Sequence, residues 1–255
     1  MIARPVRLGF SEATWHTGTY LTPFVLVCCL LTSCVGAEED LPTGNEPPPR
    51  PFCIPAPPGL VSWWPGDASN RDVVGTNHVT LENGSTYAPG MVDQGFSLDA
   101  EDDFVGAEAD GIGALQQLSI EAWVKLDVLR STPQRIVTLG DEKAVILRFD
   151  TDLQFFMRID GSFVTVSVSD ALQLGVFHHL VATYNGRAMK LFVDGVRVGA
   201  RAVSGASQLT DFLHFGGNDV PLGGIVDEVT IYDHPLSLAE IQAIYEAGDA
   251  GKCIP

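Results

Sequence analysis

Residues 155–168 read FFMRIDGSFVTVSV, two apolar–polar alternating runs on either side of Asp160-Gly161. A period of two is the signature of a strand with one buried face. Asp-Gly supplies the positive φ angles that a two-residue hairpin turn requires. The next such unit is LVATYNGRAMKLFV at 180–193, around Asn185-Gly186, and KLFVDGVRV at 190–198 turns about Asp194-Gly195. Successive tight hairpins imply an antiparallel meander, because parallel neighbours need long crossovers.

Outward from this meander, short segments rich in Val, Ile, Phe and Thr recur between turn residues. Strands are expected at 60–64, 94–98, 104–107, 118–126, 135–139, 144–149, 212–215 and 224–232. So many short strands in one stretch predict an all-β fold, a two-sheet antiparallel sandwich. One short C-terminal helix is expected. Ser237-Leu238-Ala239-Glu240 is a capping box, Gly248 is a stop, and Leu238, Ile241, Ile244 and Tyr245 share a face. Trp63 and Trp64 are strand neighbours and must point to opposite sides, one into the core and the other outward or beneath another segment.

The first part of the chain has a different character. Residues 20–31, YLTPFVLVCCLL, form an apolar run too short to span a bilayer and suited to a signal peptide, with Arg4 and Arg7 upstream. Leu31-Thr32-Ser33-Cys34 follows and resembles the bacterial lipobox, which implies lipidation at Cys34; cleavage after Ala37 is the alternative. Residues 1–33 are thus read as a signal peptide, 34–58 as a Pro-rich acidic linker holding eight of the 16 prolines, and 59–255 as the domain. The chain is expected to be exported, as an outer-membrane lipoprotein or at the cell surface or periplasm, attached through the lipid and without a transmembrane helix in the mature chain. Without lipid on Cys34 it would be secreted. Cys28 and Cys29 leave with the leader, so Cys53 and Cys253 are the cysteines of the domain. The formal charge is −17. That repels phosphate backbones and argues against nucleic acid as a partner.

GLVSWWPGD at 59–67 resembles the opening strand of bacterial laminin G-like jelly-roll domains, in the concanavalin A-like lectin/glucanase superfamily. FSLD at 96–99 with DDFV at 102–105, LSIEAWV at 118–124, FHHLVATY at 177–184, LFVDG at 191–195 and GIVDEVTIY at 224–232 resemble further blocks of that family in order. Ala100 stands where the family has glycine, and Phe177 where it has tryptophan. The resemblance implies a jelly roll and a structural Ca2+ held by Asp67 and Asp227. On the residues alone, Asp67 is a turn residue and Asp227 a strand carboxylate. The family brings its two chain ends together, which implies a Cys53–Cys253 disulfide. It also implies a binding role, toward a glycan or an envelope protein.

Catalytic residues are not found. Glycosidases of this superfamily carry alternating carboxylates on one strand, and no E-x-D-x-E pattern occurs. Asp141-Glu142 and Asp227-Glu228 are adjacent pairs whose members should point oppositely. G-x-S-x-G is absent. His178-His179 would also face two ways and reads as a hydrogen-bonded sheet pair rather than a zinc site. Asp72, Asp99 and Asp102-Asp103 read as turn residues. The ligand-binding residues are unassigned; loops 73–85, 140–143 and 216–223 could carry them, Gly216-Gly217-Asn218-Asp219 being the most polar. The reading is a non-catalytic exported binding module. Alternatives are a structural, envelope-assembly lipoprotein and a divergent glycoside hydrolase.

Overall fold

The computed structural model describes residues 52–130, 132–140, 145–217 and 220–255. The leader, Cys34 and the spacer before residue 52 lie outside the described residues, as do Asp141-Glu142 and Asn218-Asp219.

In chain order the strands are β1 (Ile54–Pro55), β2 (Leu60–Trp64), β3 (Thr80–Glu82), β4 (Thr86–Pro89), β5 (Gln94–Asp99), β6 (Phe104–Glu108), β7 (Leu118–Leu126), β8 (Gln134–Leu139), β9 (Val145–Phe149), β10 (Asp152–Ile159) and β11 (Ser162–Ser169). They continue as β12 (Phe177–Tyr184), β13 (Ala188–Val193), β14 (Val196–Ala202), β15 (Phe212–Gly216) and β16 (Gly223–Tyr232). Helix α1 (Leu238–Ala247) and β17 (Lys252–Cys253) follow.

The turn chemistry works as expected at two of the three hairpins. Asp160 and Gly161 have φ of 47° and 79°, and Asp194 and Gly195 have 50° and 75°. Both pairs are the central residues of tight turns, closed by Ile159–Ser162 and Val193–Val196. The third turn is centred one residue later than expected. Asn185 pairs back to Ala188, its side chain accepts from the N–H groups of Arg187 and Ala188, and only Gly186 takes a positive φ, of 79°.

Two antiparallel sheets result. A seven-stranded sheet runs β11-β10-β9-β8-β15-β6-β3, and an eight-stranded sheet contains β14-β13-β12-β7-β16-β5-β4 with β2 also paired to β16. The first half of β16 borders β5 and its second half borders β2, while β7 lies along its other edge. The fold is a jelly-roll sandwich. Inward residues of both sheets form the main core, where Trp64 meets Phe215 edge-on at 5.5 Å and Phe96 lies 5.4 Å from the same ring. Strands β1, β3, β4 and β17 were not expected. They are two to four residues long and carry Pro or polar residues, too little for periodicity to register.

A second, thinner layer lies on the outer face of the eight-stranded sheet. Ser237 caps α1 with the full capping box. Ile241 and Ile244 are buried against Val181, Phe192 and Tyr232. Leu238 and Tyr245, expected on the same buried face, are half-exposed. Beside the helix, β1 pairs with β17 in parallel, and Cys53 is bonded to Cys253, with Cα atoms 4.9 Å apart across 200 residues of sequence. The folded region therefore already includes Cys53 to Pro55, within the stretch that composition assigns to the linker.

Candidate functional site

Strand β16 holds the carboxylates that matter most. Val226 and Val229 both enter the main core, with two residues between them instead of one. The register shifts there, and Glu228 adopts a φ of 55°. This is a β-bulge, which places two consecutive side chains on one face. Asp227 and Glu228 therefore both point to the outer side, contrary to the alternation expected from sequence.

Glu228 enters a buried ionic cluster. Lys252 Nζ lies 2.8 and 3.0 Å from the two oxygens of Glu121 and 3.2 Å from Glu228 Oε2. The same ammonium sits 5.0 Å above the ring of Trp63. Tyr232 donates its hydroxyl to Glu121 at 3.2 Å, and His179 Nε2 lies 3.3 Å from Glu121. Burial alone would raise the Glu121 carboxyl, but the charge of Lys252 and the His179 contact outweigh it and hold it at about 2. Glu228 is less well compensated: burial and the Glu121 charge push it up to about 7 despite Lys252. Two carboxylates with opposed shifts resemble an acid–base pair. Yet Glu121 is fully buried and Glu228 is 2 % exposed, so no substrate reaches them. This cluster fixes Trp63, the clasp and the sheet to one another. His178 faces the other way, 2.8 Å from Asp194 and accepting from the Gln173 N–H.

Asp227 points to a different neighbourhood. Its Oδ2 accepts the N–H groups of Met91 at 2.8 Å and Val92 at 3.0 Å, while the buried Oδ1 has no hydrogen-bond partner. Asp67 approaches from the turn after β2, its Oδ1 accepting from the Gln94 N–H. Burial, then the Glu228 charge, raises the Asp227 carboxyl well above the ordinary range, and Asp67 adds to it. The space against Asp227 Oδ2 exists because residue 90 is glycine: a Cβ there would lie 2.5 Å away. Asp67 is thus near enough to act on Asp227 electrostatically, and the buried Asp227 Oδ1 is left without a hydrogen-bond partner. An oxygen-only, anionic set of this kind suits Ca2+. Asp72, by contrast, spends its oxygens on the N–H groups of Trp63, Val74, Gly75 and Asn77 and is a turn residue.

The outer face of the seven-stranded sheet is built differently. Outward residues of β6 and β15 place Phe104, His214 and Phe212 in a half-buried aromatic row, with ring centroids 5.7 and 4.1 Å apart. Gly106, directly opposite His214, adds no side chain to this surface. At the far edge Phe163 is 53 % exposed, and Arg158 lies 6.0 Å from its ring. Sequence reading missed this surface because FLHF at 212–215 registers as an ordinary strand. Open depressions also occur among the described residues. One of about 430 Å3 lies between β14 and α1 and includes Lys190, Val196, Arg197 and Leu238. One of about 340 Å3 lies at a loop end and includes Leu129, Arg130, Asp170 and Leu174.

A family model described as the concanavalin A-like lectin/glucanases superfamily, of laminin G type, matches residues 99–242, more than half the chain. The chain belongs to this family. Among curated proteins no match is found. The laminin G-like domain is similar to the botulinum neurotoxin serotype D ligand binding domain in complex with N-acetylneuraminic acid, at 14 % identity and a TM-score of 0.64, over 74 % of this chain and 51 % of that one. It is similar to domain 4 of AbnA, an extracellular arabinanase from Geobacillus stearothermophilus, in complex with arabinotriose, at 19 % identity and a TM-score of 0.56, over 72 % of this chain and 96 % of that one. The binding domain of Paraclostridial Mosquitocidal Protein 1 matches at 14 % identity and a TM-score of 0.61, over 74 % and 52 %. The chain spans about half the length of the toxin domains it matches. At these identities the likeness concerns the fold.

Proposed function

We propose that this laminin G-like domain is a non-catalytic glycan-binding module, exported and held at the cell envelope by lipid on Cys34. The observation that carries the binding role is the Phe104–His214–Phe212 row on the outer face of the seven-stranded sheet. Aromatic faces stack on the apolar face of a sugar ring. The helix and the clasp, which seal the opposite face of the sandwich, pack on the other sheet. Similar folds that hold arabinotriose and N-acetylneuraminic acid support this reading. A non-enzymatic role is supported by the burial of Glu121 and Glu228, which leaves the opposed carboxylate pair out of reach. Calorimetry against arabinan fragments and sialylated oligosaccharides tests the reading. Binding should weaken at least tenfold in Phe104→Ala and in Phe212→Ala. No binding across a broad glycan array, or turnover of a polysaccharide, would overturn it.

A structural Ca2+ at Asp67 and Asp227 belongs to the same proposal. Asp227 Oδ1 would hold the ion together with Asp67, and the bound charge would neutralise carboxylates that now oppose one another. Calcium should raise the melting temperature of the chelator-treated protein, and Asp67→Asn should reduce that rise. Anchoring is tested by palmitate labelling, expected in the intact chain and lost in Cys34→Ala. One observation favours a protein partner instead. Val128, Leu129, Leu174 and Val176 are 40 to 60 % exposed in the loops that follow β7 and β11. Crosslinking through these residues to an envelope protein, without glycan binding, would establish that alternative.

A further inference from the structure

The turn between β5 and β6 reads Asp99-Ala100-Glu101-Asp102-Asp103. Asp99, Asp102 and Asp103 each bring a carboxylate oxygen within 4.8 Å of the others. Asp99 and Asp102 are exposed, but Asp103 is only 2 % exposed. Asp103 Oδ2 accepts the Asp99 N–H at 2.9 Å. Its Oδ1 is buried, and no hydrogen-bond donor reaches it. Among the described residues no lysine, arginine or histidine pairs with any of the three. The facing β3–β4 turn leaves room at this oxygen: a Cβ on Gly84 would stand 3.1 Å from Asp103 Oδ1. That turn is also fastened to the cluster, since Asn83 Nδ2 donates to the Asp102 carbonyl at 3.0 Å.

A buried carboxylate oxygen persists only with a donor, a proton or a cation beside it. Here its other close neighbours are carboxylates. We propose that this turn binds a divalent cation, at a site distinct from Asp67 and Asp227. Asp103 supplies the buried oxygen, and Asp99 and Asp102 close the ion from the solvent side. The donor set is all oxygen, with neither the nitrogen nor the sulfur that zinc prefers. Chelation by side chains of one turn, with positions left to water, matches the irregular shell of Ca2+ better than the strict octahedron of Mg2+.

Titration of the chelator-treated, disulfide-intact chain with CaCl2, by calorimetry and native mass spectrometry at pH 8, tests the proposal. The comparison is between the parent, Asp67→Asn, Asp99→Asn and Asp102→Asn. The last two alter exposed side chains, and unchanged thermal unfolding in chelator confirms that they fold. One equivalent of Ca2+ should survive in Asp67→Asn. That equivalent should weaken at least tenfold in Asp99→Asn and in Asp102→Asn. An Asp67→Asn protein that binds no calcium overturns the proposal, as does an affinity within twofold of the parent in both turn variants. A proton shared between Asp99 and Asp103 would be the remaining explanation of the buried oxygen in either case. The result is independent of the Asp67 and Asp227 reading, whose failure would appear as calcium binding unaltered by Asp67→Asn.

Discussion

Glu121 carries a full charge where water does not reach, and its ionisation couples the cluster to pH. The folded carboxyl is held at about 2, against 4.5 for an ordinary glutamate. A depressed carboxylate stabilises the fold fully above 4.5, and that stabilisation is lost as pH falls from 4.5 toward 2. The difference corresponds to about 3 kcal/mol. Urea unfolding followed from pH 6 to pH 2.5 should show this acid limb, and Glu121→Gln should flatten it while lowering stability at pH 7. Lys252→Met should cost more, about 3–5 kcal/mol at pH 7, because it strands Glu121 and Glu228 together without a cation. The same denaturation experiment measures it; a loss under 1 kcal/mol would show that Lys252 does not carry the cluster. None of this was visible in the sequence. Lys252 lies 131 positions from Glu121, and only the clasp brings it there. The pairing of Asp227 with Glu228 on one face was hidden for another reason. A positive φ at a glutamate has no residue signature, unlike the same angle at Asp-Gly.

At the level of turns and helix, local residue chemistry was a good guide. Gly161 and Gly195 occupy equivalent left-handed positions, yet they differ in their surroundings. A Cβ at Gly161 meets nothing within 4 Å, whereas at Gly195 it would lie 3.2 Å from Tyr245 of α1. Gly161→Ala should therefore cost about 1–2 kcal/mol, the conformational penalty alone. Gly195→Ala should cost more, since the helix must also shift; thermal melts of the two variants side by side test the ranking. Ser237→Ala, which deletes the cap of α1, should cost about 1 kcal/mol by the same measurement. The strands from β5 to β16 were largely legible because each alternates or carries a long apolar run between turn residues. The choice of Asp67 and Asp227 as calcium ligands rests on resemblance, and local turn chemistry has no part in it. The aromatic row was not legible, because whether Phe212 and His214 face outward depends on the pairing of β15 between β6 and β8.

For the molecule as a whole, the Cys53–Cys253 bond is the largest single constraint. Closing a loop of 200 residues stabilises by about 5 kcal/mol in the chain-entropy model, with measured values generally between 2 and 5. Reduction, or Cys53→Ser with Cys253→Ser, should lower the urea midpoint accordingly without changing the circular dichroism of the folded state. The acid limb of Glu121 should shrink in the same variant, because Lys252 is the neighbour of Cys253. An unchanged acid limb would mean that β17 stays seated without the covalent bond.

The clasp also decides how a mechanical load enters the domain. A pull along the upstream chain arrives first at Cys53. There it divides: one path continues through β1 into β2, and the other crosses the sulfur bridge and runs back through α1 toward β16. Strands β2 and β16 are hydrogen-bonded neighbours, so both paths converge on the same pair at the middle of the eight-stranded sheet. The seven-stranded sheet, with its aromatic face, lies outside that route.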